Sequence, residues 1–377
     1  MKINENYKNL EESYLFSTIA KKVDEYTKAH PEAKVIKMGI GDVTLPICQK
    51  AADAFAKAAM EQGKAATFHG YGPEQGYDFL RVAVQKYYAS FQVEVAAEDI
   101  FISDGAKSDV GNILDLFDAD NTVLIPDPVY PVYMDTNVMA GRKIVFMDAN
   151  VENGFLPMPP KGQKADIIYL CSPNNPTGNS LSKEELHEIL SFIPRETAIV
   201  IDEAYASFSN KDTSYIKPLI EEFPNLLIIR TLSKFYGLPG LRLGFAFIGK
   251  NLSSFLNYST KYLGYNRLSE EIGIAVLKAN DYYQNVADLM AEDRETYMRE
   301  IGALEGFKVY HSEANFILVK YPISLKSQLQ NAFKAKDLII KFMNEEDINT
   351  HMRITLGTQK QNRLVIDTIK EVVSTPS

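Results

Sequence analysis

The feature that most constrains the fold is a run of short apolar segments in the middle of the chain, separated by stretches with helical periodicity. The apolar segments are rich in β-branched residues and predict strands. They are Asp99–Ser103, Asn121–Ile125, Asp166–Cys171, Ala198–Ile201 and Leu226–Arg230. Strands that alternate with helices pair in parallel, because each helical crossover returns the chain to the same end of the sheet. The sequence therefore predicts an α/β fold with a mostly parallel central sheet flanked by helices.

Several helices follow from apolar spacing and capping. Ser108–Phe117 carries an apolar face, and Ser182–Phe192 opens with Ser182 as N-cap and Glu185 three residues later, the pattern of a capping box. After Gly264 the pattern predicts one long helix over Ser269–Ile301. The tail is expected to form a strand over Asn315–Lys320, a helix over Leu325–Ala335, a strand over Met352–Leu356 and a helix over Gln361–Val373.

These patterns predict two structural domains, as the length of 377 residues favours. Residues 45–268 are expected to form a large ligand-binding domain and residues 269–377 a smaller α+β domain. The N-terminal segment 1–44 is expected to join the small domain.

Composition excludes several functional classes. The 40 basic and 49 acidic residues give a net charge of −9, which disfavours nucleic acid and anionic membranes as partners. Two cysteines, Cys48 and Cys171, and five scattered histidines offer no metal-binding pattern. The polar start of the chain and the lack of a run of ~20 apolar residues predict a cytoplasmic protein.

Polar residues follow four of the predicted strands, at the edge of the sheet where ligands bind in open α/β folds. Each group alone has an ordinary explanation: a glycine turn, a strand-end aspartate, a turn of Asn, Pro and Gly, or a solvated lysine. Together they match one ligand, pyridoxal 5′-phosphate (PLP), which carries an aldehyde, a hydroxyl, a ring nitrogen and a phosphate. The groups are Asp104–Ser108, Ser172–Gly178, Asp202–Tyr205 and Thr231–Lys234, with Arg242 beyond the last.

Each polar group of PLP finds a matching residue type. Lys234 supplies an amine for the aldehyde, and Asp202 supplies a carboxylate that keeps the ring nitrogen protonated. Asn175 and Tyr205 can donate to the phenolate oxygen, and Tyr130 can stack on the ring. The residues expected at the phosphate are Ala106 and Lys107 through their N–H groups, Thr231 and Ser233 through their hydroxyls, and Arg242.

Three blocks in one order make the chain similar to the class I/II, fold-type I aminotransferases: SPNNPTG (172–178), DEAY (202–205) and TLSKFYGLPGLRLG (231–244). The resemblance implies that Lys234 forms the Schiff base with PLP and moves the substrate proton, with Asp202 and Tyr205 as its catalytic partners. It also implies that Arg353, in HMRITLG (351–357), clamps the substrate α-carboxylate and that Asn266 lies near the ligand. Tyr71 resembles the tyrosine that reaches the phosphate of the other subunit, so a homodimer is expected.

Two subfamilies resemble different parts of the chain. Residues 12–141 are similar to LL-diaminopimelate aminotransferases through blocks such as ESYLFSTIAKKV, GIGDVTLP and ATFHGYGPEQGYDFLR. Residues 166–377 instead resemble histidinol-phosphate aminotransferases, in TLSKFYGLPGLRLG and RITLGTQKQN. The first resemblance implies that Glu74, supplied by the partner subunit, pairs the distal ammonium of the substrate. The alternative is that Glu74 is an acidic residue at the start of a helix, where the helix dipole favours a negative charge. The substrate residues expected from these likenesses are Tyr14, Gly41, Glu74, Lys107, Tyr130, Asn175, Asn266 and Arg353.

The favoured interpretation is transfer of an amino group from LL-diaminopimelate to 2-oxoglutarate, a step of lysine biosynthesis. Histidinol-phosphate or aromatic amino-acid aminotransferase activity is the alternative within the class. The same cofactor site also suits a decarboxylase or a C–S lyase, although a retained carboxylate clamp at Arg353 argues against decarboxylation. A non-catalytic binding protein is disfavoured by the presence of Lys234, Asp202 and Arg242 together.

Overall fold

The computed structural model describes residues 1–10, 15–73, 77–209, 212–259 and 266–375, with the backbone alone for 15–20, 22 and 255–259. The strands are β1 Ile36–Lys37, β2 Ile100–Ser103, β3 Thr122–Asp127, β4 Lys143–Asp148, β5 Ile167–Cys171, β6 Ala198–Asp202, β7 Leu226–Thr231, β8 Gly244–Ile248, β9 Lys308–Val309, β10 Phe316–Lys320, β11 Leu338–Ile339, β12 Lys341–Phe342 and β13 His351–Thr355. The α-helices are α1 Leu15–Ala29, α2 Gln49–Gln62, α3 Asp78–Ala89, α4 Ala106–Asn112, α5 Val132–Met139, α6 Lys183–Ser191, α7 Ile216–Glu222, α8 Lys250–Ser259, α9 Arg267–Leu277, α10 Asn280–Glu300, α11 Lys326–Ala335 and α12 Gln359–Ser374.

The central sheet has the strand order β2-β8-β7-β6-β5-β3-β4 in the described residues. Its pairs are parallel except that β8 runs antiparallel to both β2 and β7. This confirms the predicted α/β class with a mostly parallel sheet. The sequence pattern did not predict β4 or the reversed β8.

The central strands are hydrophobic throughout because both faces of the sheet are covered by helices. Within β6, Ile199 and Ile201 belong to the apolar cluster on one face, whereas Ala198 and Val200 belong to the cluster on the other. The alternation follows from the two-residue period of a strand. The sheet is therefore a rigid platform from which the loops at its carboxyl edge extend.

A second, antiparallel sheet has the order β12-β13-β10-β9, and β1 pairs in parallel with β11 beside it. The N-terminal segment contacts this region, since the backbone N–H of Thr355 donates to the Met38 carbonyl at 2.7 Å. The first residues instead lie against α5, where Asn4 donates to the Met139 carbonyl at 2.9 Å. The expected boundaries at 44/45 and 268/269 stay predictions.

Three local predictions were wrong or incomplete. The single helix over Ser269–Ile301 is two helices, because the chain leaves helical geometry at Ala279 (φ −100°, ψ 42°) between α9 and α10. No glycine or proline marks this break, and the apolar spacing continues across it. The strand expected to end before Pro126 continues to Asp127, since β3 pairs with β5 only at Val123 and Leu124 and leaves room for a residue without an N–H.

The helix expected from Ser108 starts earlier, at Ala106, and ends in a 3-10 turn over Ile113–Leu116. The capping box of α6 is confirmed: the Ser182 side chain accepts from the Glu185 N–H, and the Glu185 carboxylate accepts from the Ser182 N–H.

Candidate active site

The carboxyl ends of β5, β6 and β7 lie side by side and carry the residues singled out from the sequence. Asp202 is the last residue of β6, and Thr231 is the last residue of β7. The Ser172–Gly178 turn follows β5 directly. Parallel pairing of these strands places the three loops at one edge of the sheet.

Lys234 extends from the loop after β7 toward the N-terminal segment. Its Nζ donates to the Gly41 carbonyl at 3.3 Å and lies 5.6 Å from the centre of the Tyr205 ring. Gly41 has φ +66°, and a Cβ there would lie 3.1 Å from the Phe316 ring and 3.4 Å from the Tyr205 hydroxyl. A glycine is needed at position 41 for both reasons, because it admits positive φ and leaves space beside Tyr205.

Asp202 is buried, and both of its carboxylate oxygens accept hydrogen bonds. Oδ1 accepts from the Ala204 N–H at 2.9 Å, and Oδ2 accepts from the Tyr133 hydroxyl at 2.6 Å. Burial raises the pKa of this carboxyl, whereas the Tyr133 hydroxyl, the Ala204 N–H and the charge of Lys234 act to lower it. The two donors and the lysine thus favour the ionised form that burial opposes.

Arg353 lies in β13 and is 3% exposed, so it is buried and not a surface charge. Its Nε and Nη2 donate to the Gly39 carbonyl at 3.2 and 2.7 Å, and Nη1 donates to Oδ1 of Asn175. Burial lowers the pKa of the guanidinium. These bonds use three of its five N–H groups, which leaves two for a ligand carboxylate.

Asn175 links the guanidinium to the neighbouring tyrosine. Its Nδ2 donates to the Tyr205 hydroxyl at 3.5 Å while its Oδ1 accepts from Arg353. The two side chains are 6% and 5% exposed. The SPNNPTG turn, DEAY and the β13 arginine therefore form one contiguous group of side chains.

A second group forms around Gly105, which has φ +116°. A Cβ on this glycine would lie 3.2 Å from Nη2 of Arg242 and 3.8 Å from Oγ of Ser233. Thr231 Oγ1 accepts from the Ser233 N–H at 3.1 Å and donates to the Leu243 carbonyl at 3.4 Å. Ala106 and the exposed Lys107 begin α4 beside this group. A guanidinium, a hydroxyl and a glycine turn at this spacing suit an oxyanion.

The remaining predicted residues are Tyr130, Tyr71 and Asn266, together with two that lie outside the described residues. Tyr130 is half-buried, with its ring edge-on to Tyr133 at 6.1 Å. Tyr71 is 97% exposed on this single chain. Asn266 is exposed and caps α9 by accepting from the Ser269 N–H at 3.0 Å. Tyr14 and Glu74 lie outside the described residues.

A cleft of about 1160 Å³ opens beside the guanidinium of Arg353. Tyr130, Asn175 and Arg353 line it, together with segments 126–132 and 338–347. Its volume exceeds that of a typical small-molecule pocket.

Among the described residues no group of side chains suits a metal ion, and no helix combines the length and apolarity that a membrane span requires.

Sequence reasoning missed Tyr133 as a neighbour of Asp202 and missed the contact between Asn175 and Arg353. Tyr130 precedes α5 and Tyr133 lies in its first turn, so no helical spacing relates the two residues and no local pattern indicated the contact of Tyr133 with Asp202. The Asn175–Arg353 contact joins positions 178 residues apart, and no local pattern indicates it.

Residues 33–369 match the family model described as aminotransferase class I and II. The chain belongs to this family. The class I and II aminotransferase fold thus accounts for the mostly parallel sheet, and the family assignment agrees with the lysine, aspartate and arginine found at its carboxyl edge.

Similar proteins include two curated aminotransferases. The LL-diaminopimelate aminotransferase of Agathobacter rectalis is 38% identical over 358 residues, which cover 86% of this chain and 87% of the relative. That of Lachnospira eligens is 45% identical over 267 residues, covering 67% of this chain and 66% of the relative, slightly less than two thirds of its length.

Solved structures show the same fold over nearly the whole chain. The L,L-diaminopimelate aminotransferase of Chlamydomonas reinhardtii superposes with a TM-score of 0.85 at 29% identity and covers 99% of each chain. The histidinol-phosphate aminotransferase of Sinorhizobium meliloti, in complex with pyridoxal-5′-phosphate, gives a TM-score of 0.82 at 20% identity, covering 99% of this chain and 97% of that one. Both structures share the fold of this chain.

Proposed function

We propose that this aminotransferase holds PLP between the Gly105 turn and Asp202 and transfers the amino group of LL-diaminopimelate to 2-oxoglutarate. One observation supports this cofactor site. Lys234, Asp202 and the group of Gly105, Ser233 and Arg242 lie at one edge of the sheet. These residues carry an amine, a carboxylate and an oxyanion cradle, which are the three functions that the aldehyde, ring nitrogen and phosphate of PLP require.

The residues fit the group in detail. The space that a Cβ would fill at Gly105 faces Arg242 and Ser233, as a phosphate site requires. Asp202 is buried, and a protonated ring nitrogen beside it would compensate its charge. Asn175 and Tyr205 contact each other and offer donors to a phenolate oxygen. When bound, PLP supplies an electron-withdrawing ring and an aldehyde that allow an amino group to be taken from one substrate and given to another.

Lys234 is the proposed base of the reaction. Its Nζ can leave the Gly41 carbonyl, since that bond is long at 3.3 Å, and take the proton from the substrate Cα. Tyr205, 5.6 Å away at its ring centre, limits where the amine can move. The lysine therefore binds the cofactor at rest and moves a proton during turnover.

Arg353 is the proposed clamp for the α-carboxylate. The Gly39 carbonyl and Asn175 fix the plane of its guanidinium, so the two remaining N–H groups are held in a set direction. A fixed guanidinium binds a carboxylate through two parallel bonds and loses little side-chain entropy. The substrate α-carbon is thereby held near Lys234.

The choice of LL-diaminopimelate rests on the curated relatives and on the Chlamydomonas reinhardtii structure, which carry that name. From the sequence, Glu74 of the partner subunit is the proposed partner of the distal ammonium, and Tyr14, Lys107 and Tyr130 are proposed to contact the substrate. Asn266 is proposed to lie near the ligand as well.

The active unit is proposed to be a homodimer in which Tyr71 reaches the phosphate of the other subunit. The near-complete exposure of its ring on one chain supports this, because an exposed aromatic side chain favours a protein interface. The proposed compartment is the cytoplasm, since Cys48 and Cys171 are both buried and unpaired. The proposed pathway is lysine biosynthesis.

Glutamate release tests the substrate directly. The PLP-loaded protein is mixed with 2-oxoglutarate and either LL-diaminopimelate or histidinol phosphate, and the glutamate formed is measured with a coupled dehydrogenase. We expect glutamate with LL-diaminopimelate and a much lower rate with histidinol phosphate. Reversal of that order would refute the substrate, and the absence of glutamate with both donors would refute amino transfer.

A further inference from the structure

Tyr133 lies in the first turn of α5, and its side chain contacts Asp202 of the proposed cofactor site. The residue is fully buried, and its hydroxyl donates to Oδ2 of Asp202 at 2.6 Å. Its ring stacks on Tyr169 with centroids 5.1 Å apart and planes at 20°, so its position is fixed by packing.

The direction of this hydrogen bond follows from the charge on the aspartate. An ionised carboxylate can only accept, so the Tyr133 hydroxyl must be the donor when Asp202 is charged. Burial and the neighbouring Asp202 raise the pKa of the Tyr133 hydroxyl well above its ordinary value, so it keeps its proton at every working pH. A bond of this length from a hydroxyl to a carboxylate belongs to the strong, charge-assisted class.

Other charged or titratable groups also face Asp202. Lys234 on the loop after β7 favours the ionised form, whereas Glu203, the residue that follows Asp202, opposes it. Cys171 at the end of β5 and Asp109 in α4 are also within electrostatic range. The surroundings thus include two further carboxyl groups, and the ionised state depends on direct donors to the carboxylate oxygens.

We propose that Tyr133 is a positioning residue that keeps Asp202 ionised and holds its carboxylate in the orientation needed to pair with the ring nitrogen of PLP. The proposal rests on the PLP site described above. The Ala204 N–H fixes Oδ1 from the backbone and is independent of side-chain identity, whereas Tyr133 fixes Oδ2 through a hydroxyl that a single substitution removes. Tyr133 itself acts only through Asp202.

The chain offers a matched pair of variants. Tyr133→Phe and Tyr169→Phe each remove one hydroxyl from the same buried stack, but only the first removes a donor to Asp202. Both are measured as full-length protein, with the PLP dissociation constant from equilibrium dialysis and with the pH profile of kcat. Asp202→Asn serves as the reference for loss of the carboxylate.

We expect Tyr133→Phe to weaken PLP binding roughly tenfold or more, as for loss of a hydrogen bond to a charged group. Without that donor Asp202 takes up a proton more readily, so the acidic limb of the kcat profile moves to higher pH. KM for the amino donor is expected to stay near the wild-type value. Tyr169→Phe is expected to change none of these quantities.

The outcomes separate the two proposals. If Asp202→Asn binds PLP as the wild type does, the cofactor site itself is wrong. If Asp202→Asn loses PLP while Tyr133→Phe matches Tyr169→Phe in affinity and in pH profile, only the role of Tyr133 is refuted. Should Tyr133→Phe not fold, Tyr133→His keeps a ring with an N–H donor. An acidic limb of the kcat profile at or below the pH of the wild-type limb supports the proposal, and a limb displaced to higher pH despite the retained donor overturns it.

Discussion

Arg353 is the residue whose geometry makes the sharpest kinetic prediction. Arg353→Lys keeps a positive charge but loses the planar fork that reaches both Gly39 and Asn175. We expect KM for the amino donor to rise at least about tenfold, because a single ammonium cannot bind a carboxylate through two parallel bonds. Steady-state kinetics with varied LL-diaminopimelate measures the change.

Arg363→Lys is the matched control for that substitution. Arg363 also makes a two-point contact with a carboxylate, to Glu300 at 2.7 and 2.9 Å, but lies on the exposed side of α12. Its substitution should leave the kinetics unchanged. An Arg353→Lys enzyme with the KM of the control would show that the substrate carboxylate binds elsewhere.

We expect the free energy of unfolding to depend on pH because of the buried carboxyl group of Glu270. It is fully buried in α9, accepts from the Tyr77 N–H at 3.1 Å, and burial raises the pKa of its carboxyl from 4.5 to about 7. The folded protein therefore holds a proton that the unfolded chain releases, and wild-type stability falls as the pH rises from about 4.5 to 7. Glu270→Gln removes this loss while retaining an oxygen for Tyr77.

We expect thermal unfolding at pH 5 to be similar for Glu270→Gln and wild type. At pH 8 the variant should be more stable, by up to roughly 3 kcal/mol. If the free energy of unfolding differs between the two proteins by the same amount at pH 5 and at pH 8, the pKa of Glu270 is not raised in the folded protein.

Prediction from sequence worked at the residue scale where a residue follows a strand directly. The predicted placement of Lys234 and Asp202 at one edge of the sheet is confirmed, because parallel strands bring their carboxyl ends together whatever the details of the loops, whereas their roles stay predictions. Tyr133 was not found, since its role depends on a side chain reaching across from a helix. The same holds for the contact of Asn175 with Arg353, which depends on packing between the two sheets.

At the scale of elements, the pair of strands β6 and β7 is joined by a buried ion pair. Arg230 contacts Glu203 at 2.7 Å and donates to the hydroxyls of Tyr88 and Tyr215 at 3.0 and 3.2 Å. Tyr215 in turn donates to Glu203. This network lies directly beside Asp202 and fixes the ends of the strands that carry the site.

Glu203→Gln should destabilise the fold strongly. The substitution keeps the shape but leaves the Arg230 charge buried without a counter-charge, which costs about 3–5 kcal/mol in comparable sites. Glu371→Gln, which breaks the exposed pair with Lys336, should cost less than about 1 kcal/mol. Denaturant unfolding of both variants measures the contrast, and equal losses would show that the Glu203–Arg230 pair is not an important contact.

Elements were predictable where their pattern is local and unambiguous. The capping box at Ser182 and the apolar strands β5, β6 and β7 follow from adjacent residues. The antiparallel direction of β8 could not be predicted from adjacent residues, since parallel and antiparallel strands buried on both faces have the same apolar pattern. The break at Ala279 was equally hidden, because apolar residues continue at helical spacing through α9 and α10.

At the scale of the whole molecule, the proposed homodimer predicts complementation between two inactive variants. Lys234→Ala lacks the base, and Tyr71→Ala lacks the side chain proposed to reach the partner's phosphate. In a mixed dimer one of the two sites keeps both Lys234 and Tyr71. Co-refolded equal amounts should thus regain about a quarter of the wild-type sites, given a two-fold symmetric dimer.

Activity of the mixture is compared with that of each variant alone, and light scattering gives the mass of the wild type. A monomeric mass, or a mixture no more active than its components, would contradict a site shared between subunits.

The central claim is that Lys234 holds PLP in a site that accepts LL-diaminopimelate. The most direct test is the visible spectrum of the PLP-loaded protein before and after that amino donor is added without any oxo acid. We predict a visible band in the wild type that is absent in Lys234→Ala and that LL-diaminopimelate abolishes in a single turnover. A colourless wild type, or a band that histidinol phosphate abolishes and LL-diaminopimelate does not, would contradict the claim.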